Sequence, residues 1–310
     1  MPERTAPGSS IRDTLQHAAD RLATAGLATS RREVTLLWAA VAGGGTKPGD
    51  VWLQHDQEPA AELVERFWRA VERRSSGVPF AYAVGRTGFR TLDLRVDARA
   101  LIPRPETEGL VDLVLRAMRE TLKDSLTVAG KGKGETWGAV ADVGTGCGCI
   151  ALALAVEGRF ERVIAVERSA EAAALARENV ALVRPPVPIE VREGDLLAPL
   201  GGQRYRAIVS NPPYLAEAEY AALDPAVRLF EPRGALVSGA DGLTATRALL
   251  AGARALLEPG GLVALEIDER RADQVRALAL RHDWSRVAVY DDLFGRPRFL
   301  LAGIDEEGGT

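Results

Sequence analysis

Two short stretches bring together residue types that can do chemistry: Asp142-Val-Gly-Thr-Gly-Cys-Gly148 and Asn211-Pro-Pro-Tyr214. Gly144, Gly146 and Gly148 lack Cβ atoms, so the backbone there, with Thr145 among them, can turn sharply and lie close to a ligand. A Walker-type phosphate loop would end in Lys-Ser or Lys-Thr, and a dinucleotide fingerprint would place its third glycine one residue later. Neither pattern is present. Asp142 would repel phosphates but suits a ligand with an ammonium group, and S-adenosylmethionine has one. Glu167 ends "RVIAVE" about twenty residues past the loop, placed to accept hydrogen bonds from two ribose hydroxyls. Asp195, in "EGDLL", can hold an adenine amino group, with Leu196 against the ring.

The second stretch follows the apolar run "YRAIVS", and its prolines stop a strand there. A nitrogen conjugated with a carbonyl or a ring is hard to methylate, because its lone pair is delocalised. The Asn211 side-chain oxygen and the Pro212 carbonyl can accept both N–H protons, which aims the nitrogen at a methyl donor and favours pyramidal geometry. Tyr214 can lie over the planar group, while Pro212 and Pro213 keep the corner rigid. No general base is required, since the methylated nitrogen sheds its proton readily. Asn211 faces donor and acceptor alike and belongs to both sites.

Positioning these stretches needs a sheet. From Trp137 onward, strand-like segments ("WGAVADVG", "RVIAVE", "IEVREGD", "YRAIVSN", "LVALEID") alternate with helical ones, among them "SAEAAALARENVALV" behind a Ser169 cap and "TATRALLAGARALLEPGG". Such alternation implies a parallel sheet covered on both faces. "SRVAVYDD" and "RPRFLLAG" close the chain with no helix between them, so they pair antiparallel. The expected fold is α/β: a Rossmann-like, seven-stranded S-adenosylmethionine-dependent methyltransferase sheet, mostly parallel with its last strand antiparallel, behind a small all-helical N-terminal domain. The three acids and the proline corner then share the carboxyl edge of the strands, where such sheets bind ligands.

Upstream, apolar residues recur at helical spacing from Ile11 to about Arg74, with Leu63, Val64, Phe67, Trp68 and Val71 on one stripe. From Pro79 alternation takes over, and "FRTLDLRV" sets Phe89, Leu92, Leu94 and Val96 on one side of a hairpin. The expected boundaries are a helical substrate-docking domain at 1–78, a hairpin linker at 79–100 and a methyltransferase domain at 101–310. "LIPRPETEGLVDLVLRAMRE" opens a helix with Thr107 as its cap. Residues 1–9 are small and polar and read as disordered, while the Gly/Lys-rich 124–136 lacks periodicity and reads as a mobile loop.

Composition narrows the classes further. With 46% hydrophobic and 26% charged residues, the 310-residue chain reads as a soluble globular protein. A net charge of −4 argues against a nucleic-acid partner and for a protein or small-molecule one. Cys147, Cys149 and three scattered histidines form neither a disulfide framework nor a zinc site, so no metal is expected. The polar N-terminus has no signal-peptide core, and no apolar run is long enough for a membrane span, which makes the cytoplasm the default. Nothing demands more than a monomer.

These residues resemble the HemK/PrmC-type family, the peptide chain release factor N5-glutamine methyltransferases. The resemblance runs from about Arg31 to Gly303 through "SRREVTLLWAAV", "GVPFAYAVG", "LIPRPETE", "DVGTGCG", "SNPPY", "RLFEPRGALVSGADGL" and "DLFGRPRFLLAG". It implies methyl transfer from S-adenosylmethionine to the glutamine of a Gly-Gly-Gln loop in a release factor, docked with help from the helical domain. It further implies that Asn211 to Tyr214 hold the glutamine amide and that Arg104 and Glu106 lie at the mouth. Phe89 and Glu231 belong to the same pocket, or else to packing and loop anchoring. "PETE" favours this branch over the related ribosomal-protein glutamine methyltransferases. The chain departs from the family at "EIDERRA", where a Gly and then a Gln are usual, at Cys147 in place of Ser or Thr, and at the insertion "DSLTVAGKGKGE". Gly201-Gly202-Gln203 copies the target tripeptide and reads as loop composition. The rivals are an amino-methyltransferase of nucleic acid, such as an N6-adenine enzyme, which would show a basic stripe beside the corner, and a non-catalytic protein that only binds S-adenosylmethionine.

Overall fold

A reciprocal cap starts the first helix: Ser10 Oγ accepts from Asp13 N, and Asp13 accepts from Ser10 N. The computed structural model describes residues 9–129 and 136–305. The segment expected to be disordered at 1–9 lies outside them apart from Ser9, as do residues 130–135 of the loop expected at 124–136. Helices α1 (Ile11–Thr24), α2 (Ser30–Ala42), α3 (Pro48–Leu53), α4 (Ala61–Ser75) and α5 (Phe80–Val84) form a first compact unit that reaches Arg86. Leu22, Leu37, Trp38, Phe67 and Val71 fill its core, with the Trp38 and Phe67 rings edge-to-face at 4.8 Å. Leu63, Val64 and Trp68 pack half-buried around them. Alternation does not begin at Pro79 as expected. "FAYAV" has no polar residue to alternate, and it folds as α5 between Pro79 and a left-handed Gly85.

The hairpin pairs β1 (Arg86–Phe89) with β2 (Leu92–Arg95) and buries Phe89, Leu92, Leu94 and Val96 on one side. It is no free linker. Arg90, at its turn, donates to Glu157 twice at 2.7 Å and to Asp112 at 2.8 Å, while the Asn179 amide takes Arg95 N and returns a bond to Arg95 O. The second compact unit accordingly begins at Thr87, not at residue 101.

After the hairpin comes α6 (Thr107–Ala129), which continues through "DSLTVA", where a loop was expected. Alternating with helices then come β3 (Ala139–Val143), α7 (Cys149–Glu157), β4 (Arg162–Glu167), α8 (Ala170–Val183), β5 (Ile189–Glu193) and β6 (Tyr205–Ser210). Two short helices, α9 (Glu217–Tyr220) and α10 (Pro225–Phe230), precede α11 (Thr244–Gly252), β7 (Leu257–Glu266), α12 (Ala272–Arg281), β8 (Arg286–Asp291) and β9 (Pro297–Gly303). "LEPGG" was expected to end a helix. Pro259 and the positive φ of Gly260 instead open β7 there.

The seven strands lie in the order β5-β4-β3-β6-β7-β9-β8. All neighbours are parallel except β9, which runs antiparallel to both β7 and β8. Every residue of β3 is buried, as a central strand covered on both faces requires. Strands β3, β4 and β5 step outward one way and β6 starts the other way, so the chain reverses between β3 and β6. A crevice opens at such a reversal, at the carboxyl ends of the strands.

Candidate active site

Both chemical stretches flank that reversal, and Ser210 Oγ fastens them by donating to Val143 O at 2.6 Å. Beyond β3 the loop turns on Gly144, Gly146 and Gly148, with φ of 74°, 57° and 89°. A Cβ built on Gly144 would have no heavy atom within 4 Å, so the backbone there faces open space. Thr145 Oγ1 donates to Asp142 at 2.5 Å and Ala151 N to the same carboxylate oxygen at 3.0 Å. Asp142 thus caps α7 from outside it. It is fully buried. Burial, against the Thr145 and Ala151 bonds, pushes its pKa up to about 7. Its other oxygen, Oδ1, has no hydrogen-bond partner.

Glu167 accepts from Gly146 N and Ser169 N, both at 2.9 Å, so it staples the glycine loop to the start of α8. Each oxygen keeps a lone pair for a further donor. Asp195 is exposed, 3.9 Å from Arg168, and Leu196 takes a positive φ of 46° and packs its side chain on the core. An orphaned acceptor beside an open glycine loop, with two more carboxylates at neighbouring strand ends, fits a cationic ligand that carries ribose hydroxyls.

At the corner, Asn211 Nδ2 donates to Thr107 Oγ1 at 3.1 Å, and Thr107 Oγ1 donates to Glu266 Oε2 at 2.7 Å. Thr107 was expected to cap α6. It is instead the helix's first residue, buried, with its hydroxyl spent on these two partners. Among the described residues no donor reaches Asn211 Oδ1 or Pro212 O. Leu215 and residues 236–238 hold the corner from behind by a parallel bridge, with Leu215 N on Leu236 O and Ser238 N on Leu215 O, each 2.9 Å. Burial, reinforced by the Glu266 charge, pushes Tyr214 up to about 12, so its phenol stays protonated. Burial likewise raises Glu266 to about 7, opposed by the Thr107 bond and the charge of Arg298.

Arg104 reaches across to the buried Glu231 at 2.6 Å, which also accepts Ile102 N at 3.2 Å. Glu231 therefore anchors the "IPR" segment and does not face a substrate. Phe89, 1% exposed, is packing as well. Glu106 is half-buried, close enough for its charge to raise the Glu266 pKa. The "EIDERRA" departure proves to be an ion cluster: Asp268 holds Arg270 and Arg271, and both arginines reach Glu219, just after the corner. Gln203 donates to Tyr205 Oη at 2.7 Å, as a turn residue does. Sequence reading missed the roles of Thr107 and Glu266. The available signal was a lone carboxylate ending an apolar strand, the same signature that singled out Glu167.

The fold is that of a methyltransferase, and comparison with known proteins agrees. The methyltransferase small domain family matches residues 128–241, and the PrmC N-terminal domain family matches residues 13–85. The release factor glutamine methyltransferase of Deinococcus radiodurans is 39% identical over 94% of this chain and 98% of its own. That of Moorella thermoacetica is 38% identical over 96% and 99%. Among solved structures, the hMettl16 catalytic domain shares the fold, with a TM-score of 0.52 at 15% identity over 81% of this chain and 84% of that one. The chain belongs to the release factor glutamine methyltransferase family.

Proposed function

We propose that this protein, a cytoplasmic monomer, methylates the side-chain amide nitrogen (N5) of the glutamine in the Gly-Gly-Gln loop of a peptide chain release factor, with S-adenosylmethionine as donor. The observation that carries this reading is the pair of open acceptors, Asn211 Oδ1 and Pro212 O, on a corner clamped from two sides. A primary amide brings two N–H donors, and two acceptors match it. The names of the relatives, at 38–39% identity, support a protein glutamine over a nucleic-acid amine.

In this reading Asp142, Gly144, Thr145, Gly146, Gly148, Glu167, Asp195 and Leu196 hold the donor, with Asn211 at its edge. When bound, the donor supplies an electrophilic methyl on a sulfonium. Asn211 and Pro212 take the two N–H bonds and turn the nitrogen's lone pair out of conjugation. Tyr214 covers the planar amide as a neutral ring, Pro213 stiffens the corner, and Arg104 and Glu106 line the mouth. The helical unit docks the protein partner.

The test is labelled S-adenosylmethionine incubated with the enzyme and either purified release factor or duplex DNA, followed by mapping of the methyl group. Label is expected on the Gly-Gly-Gln glutamine alone. Asn211→Ala should leave donor affinity nearly unchanged and cut turnover by about 100- to 1,000-fold, the scale of losing one preorganised polar contact at a reacting group. Label on DNA, or full turnover in the variant, refutes the reading.

A further inference from the structure

An asparagine amide has two ends of nearly equal shape and opposite chemistry, and only one orientation lets it accept an N–H. From Thr107 and Glu266 we infer that the pair are positioning residues, a two-step relay that fixes the Asn211 amide with Oδ1 toward the substrate. This inference rests on the reading that the corner holds an amide. The three side chains come from separate parts of the chain: the start of α6, the end of β7 and the turn after β6. The links are short, 3.1 Å from Asn211 Nδ2 to Thr107 Oγ1 and 2.7 Å from Thr107 Oγ1 to Glu266 Oε2.

The relay has a direction. A hydroxyl carries one proton, and Thr107 gives its proton to the Glu266 carboxylate. What Thr107 then presents to Asn211 is lone pairs, and these select the NH2 end of the amide. A flipped Asn211 would set its oxygen against another acceptor and offer the substrate two donors where it needs an acceptor. Thr107 and Glu266 are both buried, so water has little access to replace a lost link. Neither residue touches the reacting atoms; they act through Asn211.

The experiment compares Thr107→Val, which keeps shape and loses the hydroxyl, with Thr107→Ser, which keeps the hydroxyl. Methyl transfer to release factor is followed by steady-state kinetics, donor binding by calorimetry and folding by thermal melting. Thr107→Val should bind the donor as the wild type does and hold KM for the protein within a few-fold. Its kcat should fall about 10- to 100-fold, the scale of a misplaced contact at a reacting centre. Thr107→Ser should recover most of that loss. Should the valine variant not fold, Thr107→Ala serves in the same comparison against Thr107→Ser. A wild-type kcat in Thr107→Val, a serine variant as impaired as the valine one, or a loss confined to donor affinity would overturn the relay. Wild-type enzyme without transfer to any amide would instead defeat the reading of the corner itself.

Discussion

Asp142 and Glu266 are buried carboxyls of the site, and burial raises both to about 7. An unfolded chain releases these protons near the ordinary carboxylate values, about 4. Between those limits the folded state binds more protons, so their contribution to stability is complete below about pH 4 and is lost as pH rises through 7. Carboxylates held low by partners, such as Asp268 beside Arg270 and Arg271, act below that window. The melting temperature of the ligand-free protein should therefore fall from pH 5 to pH 7.5, and Asp142→Asn should flatten that slope. A melting temperature that rises with pH over this range would show that neither carboxyl is protonated in the folded state.

At the scale of elements, the corner depends on the segment that backs it. Gly242 has φ of 76°, and a Cβ built on it would lie 2.4 Å from Tyr214 O and 3.1 Å from Ala216 N. Both are backbone atoms that cannot swing aside. Gly242→Ala should cost about 1–3 kcal/mol of stability from the strained φ alone. It should lower kcat by displacing Asn211 and Tyr214, while Glu167 and the glycine loop, set on other strands, keep their grip on the donor. Calorimetry beside kinetics separates the two effects, and an equal loss of donor binding would contradict it. Much of this layer was legible beforehand, because strands buried on both faces write themselves as apolar runs and glycine or proline marks their ends. "YRAIVS" before the corner and "RVIAVE" before Glu167 are plain cases. The pairing of Thr107 with Glu266 was not legible. Its members stand 159 positions apart, and only the sheet order brings them together. The burial of Asp142 and Glu231 was hidden for the same reason, since a motif gives residue types and the fold decides which of them meet solvent.

At the scale of the whole molecule, the two compact units meet in sequence at Arg86 and Thr87, just after the left-handed Gly85 that ends α5. The PrmC N-terminal domain match stops at the same place, residue 85. A polypeptide begun at Thr87 should melt in one cooperative transition and bind S-adenosylmethionine with nearly full affinity; an unfolded product would contradict it. One begun at residue 101 should fare worse, because it leaves Glu157, Asp112 and Asn179 without the partners they hold in Arg90 and Arg95. The hairpin's loyalty also has a use in recombination. A chimera that exchanges the helical unit for a foreign one, in order to redirect the enzyme to a new protein, should be joined at Gly85, with the native hairpin carried along as part of the catalytic half.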